Sequence, residues 1–268
     1  MEHESGQTRS TDPAPTRFRS RVPGRRSFLV YLVLVHALVA WLLLDRNGVS
    51  RLEKFVRKSP VHQPEYQGMV TAHVVLTGSL PHRAVVFLGD SRMRDLDVST
   101  VVSGPVYNLS IGGDTTRGLR FRLPRYHRLD QCGLVVLGVG VNDLAHFSDE
   151  ESLHEYEAIL CCLRDSGVRR VAVCSVLPID ETTYEQANAA WLRGHRTTNA
   201  RIVAYNGKLR DLCERYPFAR FADVTAEMSD ASGNLRPGLS SDGLHLAGQG
   251  NQVWGAALKR ALPLTSDH

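Results

Sequence analysis

The sequence predicts an α/β fold: a mainly parallel sheet with helices on both faces. Two observations carry this. Five short apolar runs, Ala84–Leu88, Val106–Leu109, Leu134–Val139, Arg170–Val176 and Arg220–Val224, have the length and residue types of strands. Amphipathic segments lie between and after them. Leu153, Tyr156, Ile159, Leu160 and Leu163 recur at helical spacing, as do Ile202, Tyr205, Leu209 and Leu212, and again Val253, Trp254, Ala257, Leu258 and Ala261. Strands that alternate with helices pair in parallel and are buried on both faces. In such sheets ligands bind beyond the carboxyl ends of the strands, so residues just after each apolar run are the first candidates for chemistry.

The N-terminal part is of a different kind. Residues 1–26 are polar and basic, with Arg9, Arg17, Arg19, Arg21, Arg25 and Arg26 against Glu2, Glu4 and Asp12, and are expected to be disordered. Phe28–Leu44 follows as 17 residues without a formal charge. At 1.5 Å per residue it spans roughly 25 Å, enough for a short transmembrane helix. A basic flank beside an apolar run reads as membrane topology rather than as a nucleic-acid surface. No small-residue cleavage site follows, so residues 27–45 are expected to be an uncleaved signal anchor. Arg25-Arg26-Ser27-Phe28-Leu29 also resembles a twin-arginine export signal. Basic residues flank the run on both sides. The small excess before it puts the N-terminus inside and the globular part outside the cytoplasm. Residues 46–83 are expected to form a stalk, in which Met69–Leu80 reads equally as helix or strand. Residues 84–268 form the globular domain.

Cys132, Cys161, Cys162, Cys174 and Cys213 have no metal-ligand spacing, and their odd number excludes a fully paired disulfide framework. His146, Asp149 and His154 match no standard metal motif either. No metal or cofactor is expected.

Four blocks stand where the fold predicts a site. The first strand runs into Gly89-Asp90-Ser91-Arg92, which puts a serine hydroxyl and its backbone N–H at the sheet's edge. The second leads into Asn108-Leu109-Ser110-Ile111-Gly112-Gly113-Asp114-Thr115, where glycine lets backbone N–H groups approach a ligand. The third leads into Gly138-Val139-Gly140-Val141-Asn142-Asp143, which offers a neutral amide donor. Ser241-Asp242-Gly243-Leu244-His245 precedes the last helix. Imidazole suits a general base, and a carboxylate three residues earlier can fix its tautomer. Taken singly, each block has an ordinary structural explanation as a cap or a turn.

Together and in this order, the four blocks resemble the GDSL/SGNH hydrolase family, and the resemblance covers roughly residues 84–262. NLSIGGDT is especially similar to its thioesterase/lysophospholipase branch. The resemblance implies a flavodoxin-like three-layer α/β/α sandwich with a five-stranded parallel sheet. It implies Ser91 as nucleophile, with His245 and Asp242 as partners, and an oxyanion hole made of the Ser91 N–H, the Gly113 N–H and the Asn142 side chain. Two positions depart from the family pattern. Arg92 replaces its usual Leu, and Leu246 its frequent Pro. Arg92 is therefore a candidate substrate contact, the alternative being a solvated helix residue. Tyr184, Trp191, Arg193 and His195, after the fourth strand, could also face substrate, although a surface loop of mixed composition is the better reading of them.

The expected activity is ester hydrolysis or acyl transfer through an acyl-serine. The expected partner is an acyl-ester substrate, first an O-acetylated envelope polysaccharide and second a lysophospholipid or other lipid ester or thioester. A non-catalytic glycan-binding module on the same fold is the alternative from another class, and the intact Ser91, Asp242 and His245 argue against it.

Overall fold

The computed structural model describes Val30, His36, Val61, residues 63–188 and residues 197–263. The chain divides into two units, Met1–Val56 and Arg57–His268, and all secondary structure from Pro64 onward belongs to the second. The basic flank, the apolar run at 28–44 apart from Val30 and His36, and Trp191, Arg193 and His195 lie outside the described residues. No helix among the described residues is long and apolar enough to cross a membrane.

The second unit holds five strands: β1 (Val85–Gly89), β2 (Val106–Asn108), β3 (Leu134–Gly138), β4 (Val171–Cys174) and β5 (Ala219–Ala222). All pair in parallel, in the order β2-β1-β3-β4-β5. Each of the five apolar runs of the sequence contributes one of them. The runs do not alternate because both faces of the sheet are buried. Val86, Leu88, Val135 and Leu137 pack into a cluster with Leu119, Tyr156, Leu160 and Leu209. Their neighbours Val85, Phe87, Leu134 and Val136 pack into another with Met93, Leu96, Trp254 and Leu258. Fully burying one such side chain is worth about 1.5–3 kcal/mol.

Nine helices are described: α1 (Pro64–Thr77), α2 (Ser91–Arg94), α3 (Thr116–Arg122), α4 (Val141–His146), α5 (Asp149–Asp165), α6 (Glu181–Asn188), α7 (Asn199–Glu214), α8 (Thr225–Met228) and α9 (Gly248–Ala261). Three of these, α5, α7 and α9, are the helices whose apolar spacing the sequence displays. Helix α5 starts at a capping box. The Ser148 hydroxyl accepts from the Glu151 N–H, and the Glu151 carboxylate accepts from the Ser148 N–H.

The expected stalk ends earlier than residue 83. Pro64 opens α1, and Tyr66 and Val70 on that helix are buried against Ile111. The Tyr66 hydroxyl donates to Asp114 at 3.0 Å. Residues 64–77 are therefore part of the folded unit, and Met69–Leu80 resolves as helix over most of its length. All five cysteines are free thiols, with Cys132, Cys174 and Cys213 buried.

Candidate active site

The sheet register sets out the site. Gly89 pairs with Gly138, so the segments leaving β1 and β3 start level with each other. The Ile111 N–H donates to the Gly89 carbonyl at 2.9 Å, which draws the turn after β2 alongside. Ser91, Gly113 and Asn142 all belong to the segments gathered at this edge.

Ser91 opens α2. The Asp90 side chain caps this short helix by accepting the Arg92 N–H at 3.0 Å. The turn is tight. A Cβ on Gly89 would lie 2.3 Å from the Gly138 carbonyl oxygen, so only glycine fits there. Asp90 is buried, and burial pushes its carboxyl up to about 6 against the pull of Arg92.

The Gly112–Gly113 turn is held by polar groups beneath it. Gly113 has φ +74°, a left-handed conformation that glycine adopts without strain. Asp114 and Arg122 form a fully buried ion pair at 2.9 Å, and Arg122 also donates to the Leu109 carbonyl at 2.8 Å. The Asn142 Nδ2 donates to the Asp114 carbonyl at 2.8 Å. That bond uses one of its two N–H groups and orients the other. Asp143 receives the Thr116 N–H on both carboxylate oxygens, at 3.1 and 3.0 Å, and the Thr116 hydroxyl as well. Burial pushes the Asp143 carboxyl up to about 7, although the Thr116 hydrogen bonds pull the other way. The sequence shows Asp143 only as the second half of a turn-like Asn-Asp pair. Its role in joining α3 to α4 emerges only in the fold.

The histidine comes from the irregular stretch before α9. The His245 Nε2 lies 3.0 Å from the Ser91 Oγ, and its Nδ1 lies 2.7 Å from the Asp242 Oδ2. The other carboxylate oxygen of Asp242 accepts the Leu244 N–H at 2.9 Å and the His245 N–H at 2.7 Å. Burial pushes the Asp242 carboxyl up, but the His245 ring and these two N–H groups outweigh it and hold it at about 2. Asp242 therefore stays ionised across the physiological range. Gly243, with φ +80°, lets the loop close on its neighbour, since a Cβ there would lie 2.4 Å from the Tyr184 nitrogen. The Asp180 N–H donates to the Gly243 carbonyl at 2.9 Å.

Arg92 is not a solvated helix residue. It is 4% exposed. Its Nε donates to the Leu244 carbonyl at 2.8 Å, its Nη1 to the Leu177 carbonyl at 2.8 Å and its Nη2 to the Pro178 carbonyl at 3.1 Å. Asn206 bonds both backbone groups of Val176, and Asn199 both of Ile179, so the stretch that receives Arg92 is itself fixed. None of Arg92, Asn199 and Asn206 carries a sequence signal for this role. Tyr184 is buried beside the histidine loop. Leu246, at the second departure from the family pattern, packs into the core on the α9 side of the sheet.

A cavity of about 20 Å³ lies beside the turn after β1, lined by Asp90, Arg92, Ser175 and Trp254 among others. Neither Ser91 nor His245 lines it. It has room for about one water and not for an acyl chain. On the other side of the serine, Asp242 and His245 are about two-fifths exposed.

The arrangement is a serine hydroxyl, an imidazole and an ionised carboxylate in one hydrogen-bonded line, a geometry that recurs on unrelated folds. Comparisons with known proteins agree with the fold around it. A protein from Streptococcus pneumonia whose name refers to platelet activating factor superposes with a TM-score of 0.66 at 26% identity, over 81% of this chain and 98% of its own. A GDSL-like lipase from Bacteroides thetaiotaomicron superposes at 0.58 with 18% identity, over 72% and 96%. An acetyl xylan esterase superposes at 0.52 with 19% identity, over 67% and 99%. No curated protein sequence matches the chain. The model of the GDSL-like lipase/acylhydrolase family matches residues 82–253, well over half of the sequence and all four motif blocks, and the chain belongs to that family.

Proposed function

We propose that this protein cleaves or transfers acyl groups through an acyl-serine, with Ser91 as nucleophile, His245 as base and Asp242 orienting the imidazole. The observation that carries the reading is the continuous line from Ser91 through His245 to Asp242, at 3.0 and 2.7 Å. As the Ser91 oxygen attacks an ester carbonyl, its proton passes to the His245 Nε2. The oxyanion forms against the Ser91 N–H, the Gly113 N–H and the second N–H of Asn142. The leaving alkoxide takes the proton from His245. Water or an acceptor hydroxyl then attacks the acyl-serine, and the imidazole serves again as base.

The substrate class we assign is O-acetylated envelope polysaccharide, either deacetylated or acetylated. The basic flank and the 28–44 run support it, because we read them as a membrane anchor with residues 84–268 outside the cytoplasm. Likeness to an acetyl xylan esterase is compatible with it. A lipid ester is the second reading, supported by NLSIGGDT and by a structural neighbour named for platelet activating factor.

The test is a panel of acetyl, butyryl and long-chain esters, with acetylated glycans and acetylated phospholipid, on the full chain in detergent. Acetyl-glycan turnover that is lost in Ser91→Ala supports the first reading. Preference for the phospholipid supports the second. Glycan binding without turnover would point to a non-catalytic module. Topology is tested by protease treatment of spheroplasts. Cleavage of the globular domain supports an external site, protection reverses the orientation, and a soluble shortened chain shows a cleaved signal.

A further inference from the structure

We infer that Arg92 is a positioning residue for the base: it holds the His245 loop in register with Ser91, and it does so through the backbone. The inference rests on the proposed roles of Ser91 and His245 and goes beyond them. Arg92 follows Ser91 directly on α2, so its Cα moves with the nucleophile. Its guanidinium reaches three carbonyls on two other segments, those of Leu244, Leu177 and Pro178. Leu244 immediately precedes His245. A single side chain therefore ties the serine, the base and the stretch after β4 into one unit.

The chemistry suits arginine in particular. The three acceptors lie in different directions around one planar group, and a guanidinium presents five N–H donors in a fixed fork. A lysine ammonium is a compact charge on a flexible stem and cannot span all three. The site is also buried, and a donor removed there leaves carbonyls without partners. The base loop needs such a tie because it has no regular secondary structure between Leu239 and Ala247 beyond an isolated bridge from Ser240 to Leu246.

Arg92→Lys keeps the charge and loses the fork. Displacing a catalytic group by about 1 Å costs roughly 100-fold, so kcat should fall roughly 10- to 100-fold. KM should stay within about twofold, because no contact to substrate is lost. Phosphonate labelling of Ser91 should slow by the same factor. A contribution to folding alone would not produce the decisive readout, which is a double-mutant cycle with His245→Ala. If Arg92 acts through the imidazole, then adding Arg92→Lys to His245→Ala costs almost nothing further in residual kcat. Full multiplication of the two losses, or an unchanged kcat in Arg92→Lys, overturns the inference. Should Arg92→Lys not melt cooperatively, Arg92→Gln, which keeps one donor amide, is measured the same way. Failure of both to fold would make Arg92 a folding residue and also overturn it. The parent reading fails separately, if phosphonate labels Ser91→Ala as fast as the wild type.

Discussion

The two halves of the site are built by different means. The side proposed to hold the oxyanion lies on buried polar scaffolding. Asp114, Arg122, Thr116 and Asp143 are at or near zero exposure and bond one another or the backbone beneath Gly113 and Asn142. The base side is a loop. Asp242 and His245 are about two-fifths exposed and are held by two N–H groups, the Arg92 fork and the close approach at Gly243. Donors that stabilise developing charge work best when fixed in advance in a water-poor setting. A base must exchange protons with solvent and with leaving groups, so exposure costs it little. The difference teaches that pre-organisation is concentrated where the oxyanion would form.

Asp242→Asn should produce the largest split between the two halves. The Asp242 Oδ1 accepts the Leu244 and His245 N–H groups, and the Oδ2 faces the ring. An asparagine that keeps its oxygen toward the backbone turns its NH₂ toward Nδ1. The ring must then accept there and carry its proton on Nε2, facing Ser91, where no lone pair is left to act as base. A fall of about 10⁴ in kcat is expected, with the melting temperature nearly unchanged. A kcat within about tenfold of the wild type would mean that the carboxylate does not set the tautomer.

Asn142→Ala probes the other half and should cost less. It deletes one oxyanion donor and leaves Ser91, His245 and Asp242 in place. The expected loss is roughly 10²–10³ in kcat. It should fall on kcat rather than KM, since the oxyanion exists only in the transition state and intermediate. Phosphonate should still label Ser91, only more slowly. Unchanged kcat would place the oxyanion hole elsewhere.

The contrast also explains what the sequence could reveal. The strands were legible because burial on both faces writes a continuous apolar run, as in AVVFL at 84–88. Ser91, Asp242 and His245 were legible because four blocks in fixed order carry the resemblance. Helix α1 was not, because Val74-Val75-Leu76 favours a strand locally while Tyr66 and Val70 pack on the folded unit. Arg92 was misread as a solvated residue. Its three acceptors lie 85, 86 and 152 residues away in sequence, and no local pattern announces them. Asp143 was hidden in the same way, because Asn-Asp after a glycine is a turn signal first.

The smallest expected effect concerns the oxyanion scaffold alone and is read in stability. Asp143 is buried, and its carboxyl is raised to about 7, chiefly by burial. In the unfolded chain it titrates near 4. Between these values the native protein holds a proton that the unfolded chain has released, so the group's contribution to stability is complete below about pH 4 and is lost as pH rises through 7. Asp143→Asn removes the titration, and its amide oxygen can still accept the Thr116 N–H. The melting temperature of the variant relative to the wild type should therefore rise steadily from pH 4.5 to 7.5. His245 and Asp242 on the exposed side are untouched by the substitution, so they cancel in that difference. Thermal melts of both proteins across this range decide it. A constant difference would mean that Asp143 is ionised throughout, and that the buried scaffold beneath Gly113 and Asn142 carries a full negative charge at Thr116.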